Sequence, residues 1–329
     1  MTAEPDHSES SLTTTPVGVR ELLVIYLKGL AMGAADAVPG VSGGTIALIT
    51  GIYERLIRAI TALDPTALRH TVSLHRRASR QALWQELKAM DMPFLVALGL
   101  GMVSAVVILA RGVQLALSTV PGPTFAFFAG LIGASAALLF DARWFTNPAQ
   151  LAAAVAGFVI AFVIAGASTS GLLPQTLPMV FVAGMFAICG MVLPGISGAF
   201  ILLLLGQYEY MTAVLTGFTD QLGGLALGGG MGTLVEDGIV IVTFLVGAFA
   251  GLFTVAYAVR WALERYRGPT FAFLVALMVG ALRYPGERMV ETTAVSLQPL
   301  LLVAVAAFCG GAVVFLLDYY TADLEYETA

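Results

Sequence analysis

The run from Asp36 to Glu54, DAVPGVSGGTIALITGIYE, sets a carboxylate, a proline and four glycines inside an apolar region, and its core returns 155 residues later as LPGISGAFILLLLGQYE. Over the 17 positions from Val38 and from Leu193, nine residues are identical: Pro39/Pro194, Gly40/Gly195, Ser42/Ser197, Gly43/Gly198, Ile46/Ile201, Leu48/Leu203, Gly51/Gly206, Tyr53/Tyr208 and Glu54/Glu209. A single apolar Gly-Pro stretch constrains little. Two copies at matched spacing mean an internal duplication, a recurring way of building membrane transporters.

The rest of the chain fits that setting. It is 58% hydrophobic and 11% charged over 329 residues, where a soluble domain carries about 25% charged residues. The expectation is an all-α polytopic membrane protein. The first 17 residues are polar and acidic, without the basic start and short apolar core of a cleavable signal, and residues 1–17 and 319–329 read as a disordered tail and an acidic tail. Cys189 and Cys309 both fall in apolar segments, which argues against a disulfide framework. The three histidines lie outside the apolar segments, so the sequence offers no intramembrane metal or haem ligands and implies no cofactor. Nothing in it points to a nucleic-acid partner.

Apolar segments at 93–110, 123–140, 149–167, 239–259, 270–282 and 299–317 predict six transmembrane helices. Two further apolar regions, 20–50 and 178–206, are each broken by Pro-Gly near the middle. Legs of about 12 to 16 residues reach roughly 18 to 24 Å, short of a ~30 Å hydrocarbon core, so both are expected to be re-entrant helix hairpins. With the 51–92 loop on the cytoplasmic side, 13 of the 16 Lys and Arg fall inside, and Arg111, Arg283 and Arg288 alone fall outside, as the positive-inside rule requires. Both termini come out cytoplasmic. Gly-Pro-Thr-Phe-Ala-Phe recurs at 122–127 and 268–273, so repeat 1 is expected over 18–167 and repeat 2 over 176–318. Three crossings per half give an inverted-topology repeat. The basic segment 55–92 reads as an amphipathic helix on the inner surface, either an anchor to anionic membrane lipids or a lipid-recruiting element. The stretch 207–238, with its glycine-rich GGLALGGGMG, reads as an outer loop.

Irregular backbone at membrane depth survives only where protein buries it or it lines a cavity. Both Pro-Gly-x-Ser-Gly breaks are therefore expected to meet at the midplane, with Pro39, Gly40, Pro194 and Gly195 making the breaks. Each second leg starts just beyond its break, so free amides and the positive end of its dipole face the meeting place. Ser42, Gly43, Gly44, Thr45, Ser197 and Gly198 become candidate ligands for a phosphate or carboxylate. The competing reading is that Gly and Pro merely permit close packing and that the hydroxyls satisfy backbone. Lys28 is a candidate phosphate partner or a side chain reaching the inner face. Asp36 lies next to the first tip, with Met191 at the aligned position, and is a proton carrier, a partner for Lys28 or a cap on the second leg. Glu54 and Glu209 are candidate gates at opposite faces, or simply polar helix ends.

GAADAVPGVSGGTIALITGIYE together with GMVLPGISGAFILLLLGQYE resembles the polyprenyl-phosphate transporter family, PopT-like, formerly a domain of unknown function. The resemblance covers nearly the whole chain. It falls on Asp36, Pro39, Gly40, Ser42, Gly43, Gly44 and Thr45, and on Pro194, Gly195, Ser197 and Gly198. It implies a translocase, or flippase, that returns undecaprenyl phosphate or its archaeal equivalent from the outer to the inner leaflet of the cytoplasmic membrane for reuse in envelope or glycan synthesis, with polyprenyl phosphate as substrate and protons as a candidate coupling ion. The chain is then a transporter and not an enzyme. Ala199 and Phe200 replace Gly44 and Thr45 in the second copy, which leaves it fewer donors. The alternative from the residues alone is a secondary transporter or channel for small water-soluble anions. Oligomeric state is not readable.

Overall fold

In the computed structural model, the described residues are 19–61, 91–145, 147–192, 197–226, 232–294 and 296–327, and among them every regular element is helical. In chain order the α-helices are α1 (Val19–Asp36), α2 (Gly43–Ile49), α3 (Tyr53–Thr61), α4 (Met92–Thr119), α5 (Pro121–Leu139), α6 (Pro148–Thr169), α7 (Leu177–Val192), α8 (Gly198–Leu204), α9 (Tyr208–Ala226), α10 (Leu234–Phe253), α11 (Val255–Arg265), α12 (Arg267–Ala281), α13 (Arg283–Thr292) and α14 (Leu297–Glu327). Among the described residues, six stretches are long and apolar enough to cross a membrane: α4, α5, α6, α10 with α11, α12 with α13, and 297–319 of α14. Their outward faces carry large apolar side chains such as Val103, Ile108, Phe249 and Phe308. Water would penalise such a surface and hydrocarbon does not; the chain is a multi-pass membrane protein.

The ends of these helices follow from local chemistry. Pro93, Pro121 and Pro148 stand in first turns, where the missing N–H has no intrahelical partner to lose. Asn147 caps α6 by accepting from the Ala149 amide at 3.0 Å.

The helices that follow the two motif copies are alike in their backbone. Helices α2 and α8 are both seven residues long and begin and end at positions 155 apart. Each closes on a left-handed glycine, Gly51 at φ 68° and Gly206 at φ 64°, and in each the next amide reaches back to the same relative carbonyl, Ile52 to Ala47 at 3.0 Å and Gln207 to Leu202 at 2.8 Å. A side chain would strain this cap, so glycine recurs in both copies. The legs are less even than the sequence predicts. The first legs, α1 and α7, have 18 and 16 residues and the second only seven, because the glycine caps stop the second legs early. Past the second cap the chain turns by 115° into α9. This 19-residue helix occupies much of the stretch read as an outer loop; its Thr, Gln and Gly content hides it from a hydropathy scan. The Pro194–Gly195 dipeptide, most of the basic 55–92 segment, the N-terminal tail, the last two residues of the acidic tail and residues 227–231 of the glycine-rich run lie outside the described residues.

Four helix pairings dominate the packing: α1 with α4, α7 with α10, α5 with α14 and α6 with α12. All four close on glycine. A Cβ at Gly29 or Gly101 would overlap the partner backbone in the first pair, at Gly184 or Gly247 in the second, at Gly130 or Gly310 in the third, and at Gly157 or Gly280 in the fourth. Small residues are what lets helices associate where no hydrophobic drive separates them from lipid. The partners run parallel: Gly29 faces Leu98 and Gly33 faces Met102; Gly247 faces Phe181 and Gly251 faces Met185; Gly157 faces Phe273 and Gly166 faces Arg283. In repeat terms, α1–α4 corresponds to α7–α10. The third long helix of each half pairs with the second of the other half.

The main core lies between these pairs. Phe125, Phe128, Leu131 and Ile132 of α5 meet Phe200 and Leu203 of α8 and Val275 and Met278 of α12. The short leg α8 is thus embedded in the protein. A second cluster joins Ile25, Ala47, Ile52, Phe94 and Leu98, and so seats α2 against α1 and α4.

Candidate functional site

Between Asp36 and Gly43 the backbone leaves helical geometry, with Gly40 at φ 97° and its backbone packed on Leu131 and Ile132. A break of this kind exposes carbonyls, each costing several kcal/mol in hydrocarbon if unpaired. Three distant side chains take them. The Tyr208 hydroxyl donates to the Ala37 carbonyl at 2.7 Å, Ser197 Oγ to the Val38 carbonyl at 3.2 Å, and Ser135 Oγ to the Gly40 carbonyl at 2.6 Å. The first break is therefore sealed by α5 and by the second hairpin. Pro39 is buried with it.

The first short leg is capped from behind. Asp36 Oδ1 accepts from the Gly43 amide at 2.7 Å, while Oδ2 is buried and without a partner among the described residues. A Cβ at Gly43 would overlap the carboxylate, so the glycine is required by a close approach. Ser42 is 4% exposed and donates to no group among the described residues. Gly44 is partly buried, and Thr45 lies within α2 with its side chain outside the described residues.

The second short leg is capped by its own serine. Ser197, fully buried, accepts from the Ala199 amide at 3.2 Å while donating to Val38. Gly198 packs against the Ala187 carbonyl of α7, too close for a side chain. The two copies thus solve one problem with different groups, because Met191 stands where Asp36 does. Ser197, two residues past the Pro194–Gly195 dipeptide in the chain, is in direct contact with the first break.

Lys28 is placed elsewhere. Its ammonium donates to the Thr50 carbonyl at 2.5 Å, at the far end of α2 from Gly43 and about 10 Å along the helix axis. It caps a helix C-terminus, where a cation is favoured. Glu54 is exposed in the first turn of α3. Glu209 is engaged: it accepts from the Tyr284 hydroxyl at 3.0 Å and faces Arg288 at 3.5 Å.

That contact opens onto a feature the sequence reading did not single out. On α13, Tyr284 and Arg288 lie against Phe125 of α5, with Tyr284 edge-on at 6.1 Å, while Arg283, paired with Glu287, turns toward Phe162 of α6. Phe125 meets Phe128 at 6.5 Å, and Phe128 meets Tyr208 at 5.6 Å, both edge to face. An aromatic wall therefore runs from the α13 polar cluster to the hydroxyl that holds Ala37. The sequence carried one signal for this cluster: Arg283 and Arg288 are two of the three basic residues that the charge count places outside. Neither Ser135 nor Tyr284 stands in any motif.

Comparison with known proteins falls on the same region. The VCA0040-like family model, described as undecaprenyl phosphate translocase-like, matches residues 32–299. A polyprenyl-phosphate transporter of Vibrio cholerae serotype O1 is 36% identical over 260 residues, covering 79% of this chain and 76% of its own. A polyprenyl-phosphate transporter of Staphylococcus aureus is 32% identical over 268 residues, 78% of this chain and 83% of its own. Both relatives are transporters by name. No solved structure matches the chain.

Proposed function

We propose, from the premise that the chain belongs to the undecaprenyl phosphate translocase-like family, that it is a flippase for a polyprenyl phosphate lipid carrier. It moves the carrier between leaflets of the cytoplasmic membrane for reuse. The phosphate is handled where the two breaks meet, by Ser42, Gly43, Gly44, Thr45, Ser197 and Gly198, while the polyprenyl tail stays in lipid. The observation that carries this reading is the Ser197–Val38 hydrogen bond, because it joins the two copies of the motif. Lys28, held at the far end of α2, is not part of the proposed seat.

The pairing directions support an inverted repeat. With each long stretch crossing once, parallel packing of α1 on α4, α6 on α12 and α7 on α10 puts the starts of α1 and α7 on opposite faces. A re-entrant hairpin then enters from each side, with both termini cytoplasmic by the charge count. The arrangement represents a closed state: the carbonyls of the first break are taken by Tyr208, Ser197 and Ser135, and the Gly43 amide is taken by Asp36. A phosphate reaching this amide has to replace the Asp36 carboxylate. That exchange is easiest when Asp36 is protonated, which is how protons would couple to transport.

Leaflet-sided uptake of labelled undecaprenyl phosphate in proteoliposomes tests the reading. Wild-type protein is expected to equilibrate the lipid between leaflets, and Ser42→Ala and Gly43→Leu to slow it. Wild-type rates from both variants would remove the site, and no uptake by wild-type protein would remove the function.

A further inference from the structure

The three basic residues that the charge count places outside differ in how fully they are used. Arg111 is paired with Asp220 and Thr219. Arg283 is held by Glu287 at 2.7 Å, by the Phe162 carbonyl at 3.1 Å and over the Phe162 ring at 4.4 Å. Arg288 is different. Its nearest carboxylate oxygens, on Glu209 and Glu291, stand at 3.5 Å, beyond the 2.7–2.9 Å of a charge-assisted bond. Its Nε is buried with no acceptor among the described residues. The side chain is nevertheless fixed, because the guanidinium sits over the Phe125 ring at 5.5 Å and that ring is 1% exposed. A third of the side chain is exposed.

A positioned, reachable guanidinium whose bonds to its carboxylates are long, with Nη2 donating to both Glu209 oxygens at 3.5 Å, suits a phosphate, which a planar fork binds by two parallel bonds. The carboxylate beside it is held by another group, since the Tyr284 hydroxyl donates to Glu209 at 3.0 Å. We propose that Arg288 receives the phosphate monoester head of the lipid, and that Glu209 is the resident carboxylate this phosphate displaces; the assignment rests on the polyprenyl-phosphate reading above. Glu209 directly follows Tyr208, whose hydroxyl holds the Ala37 carbonyl. Arrival of the headgroup therefore acts on the residue next to the one that seals the first break. Arg288 is the docking cation, and the two breaks lie further along the aromatic wall.

The test uses the full chain in nanodiscs of zwitterionic lipid, with undecaprenyl phosphate and undecaprenol as probes and binding followed by native mass spectrometry. Wild-type protein is expected to prefer the phosphate over the alcohol. Arg288→Gln is expected to weaken phosphate-lipid binding about tenfold or more, the weight of a lost charged bond, with undecaprenol binding unchanged. Arg288→Lys should fall between. Glu209→Gln keeps an acceptor for Tyr284 and removes the competing charge, so it should tighten binding about threefold; that gain should vanish in the Arg288→Gln background. A folded Arg288→Gln protein that binds like wild type overturns the proposal, as does a loss shared with undecaprenol or equal competition by phosphatidylglycerol. Should Arg288→Gln not fold, Glu209→Gln decides alone, and unchanged or weaker binding overturns the proposal. Wild-type protein that fails to distinguish phosphate from alcohol removes the family-based reading as well; discrimination kept by both wild type and Arg288→Gln removes Arg288 only.

Discussion

The Tyr208 hydroxyl donates to the Ala37 carbonyl at 2.7 Å across 171 residues of chain, which ties the start of α9 to the loop that interrupts the first hairpin. Tyr208 is 4% exposed and packs edge-on to Phe128. Its counterpart in the first copy, Tyr53, is 40% exposed. The same residue type thus serves as a buried latch in one half and a surface group in the other.

Removing that hydroxyl isolates the hydrogen bond from the packing. In Tyr208→Phe the ring still meets Phe128, and the Ala37 carbonyl loses its partner. We expect a loss of about 1–3 kcal/mol in stability, the cost of an unsatisfied buried acceptor, read as a lower melting temperature in detergent, together with altered lipid equilibration in proteoliposomes. An unchanged melting temperature and rate would show that the latch is incidental.

Asp36 can be separated into a cap and a charge. Asparagine keeps an oxygen that accepts from the Gly43 amide, so Asp36→Asn should retain stability. Asp36→Ala should lose about 0.5–2 kcal/mol, as caps do. On the proposed exchange between carboxylate and phosphate, Asp36→Asn also changes the rate of transport and its dependence on pH. Wild-type transport from a stable Asp36→Asn protein would leave Asp36 as a cap only.

How much of this was legible beforehand depends on the range of the chemistry. Proline and glycine act on their own backbone, so Pro39, Gly40, Gly51 and Gly206 announce breaks and caps wherever they stand. Six apolar stretches announce themselves through length. The groups that close the site do not. Ser135 sits mid-helix in α5, where a serine usually bonds within its own turn, yet it bonds Gly40. Arg288 and Glu209 are 79 residues apart and meet only through the fold. Lys28, which the sequence leaves as a phosphate partner or a side chain reaching the inner face, donates to the Thr50 carbonyl at the other end of α2.

Gly43 and Asp36 form a pair that a double-mutant cycle can resolve. Gly43→Ala puts a methyl into the Asp36 carboxylate, with an expected cost of about 1–3 kcal/mol from overpacking. In the Asp36→Ala background the obstacle is gone, so most of that cost should disappear. Coupling of this kind between touching groups reaches about 0.5–3 kcal/mol. Additive losses in thermal unfolding would mean that the two residues do not meet as described.

The glycine pairings make a claim about which faces of α5 and α6 are closed. A Cβ at Gly130 would strike the Ala307 backbone of α14, and one at Gly157 the Phe273 backbone of α12, whereas Gly133 has nothing within 4 Å of that position. Gly130 and Gly133 lie on the same helix and share its composition, so intrinsic helix propensity treats them alike. Leucine at Gly133 should be tolerated by an open or lipid-facing position. At Gly130 and at Gly157 it should separate helices that touch backbone to backbone, costing at least about 1–3 kcal/mol each. The informative pair is Gly157 and Gly310, where a Cβ would strike the backbone of Phe273 and Phe127, the last residues of the two Gly-Pro-Thr-Phe-Ala-Phe copies. On the proposed inverted repeat, α5 with α14 and α6 with α12 are the same contact made twice, so damage at Gly157 and at Gly310 should lower the melting temperature similarly. Equal tolerance at Gly130 and Gly133 would contradict the α5–α14 contact, and a large difference between Gly157 and Gly310 would contradict the correspondence of the two halves.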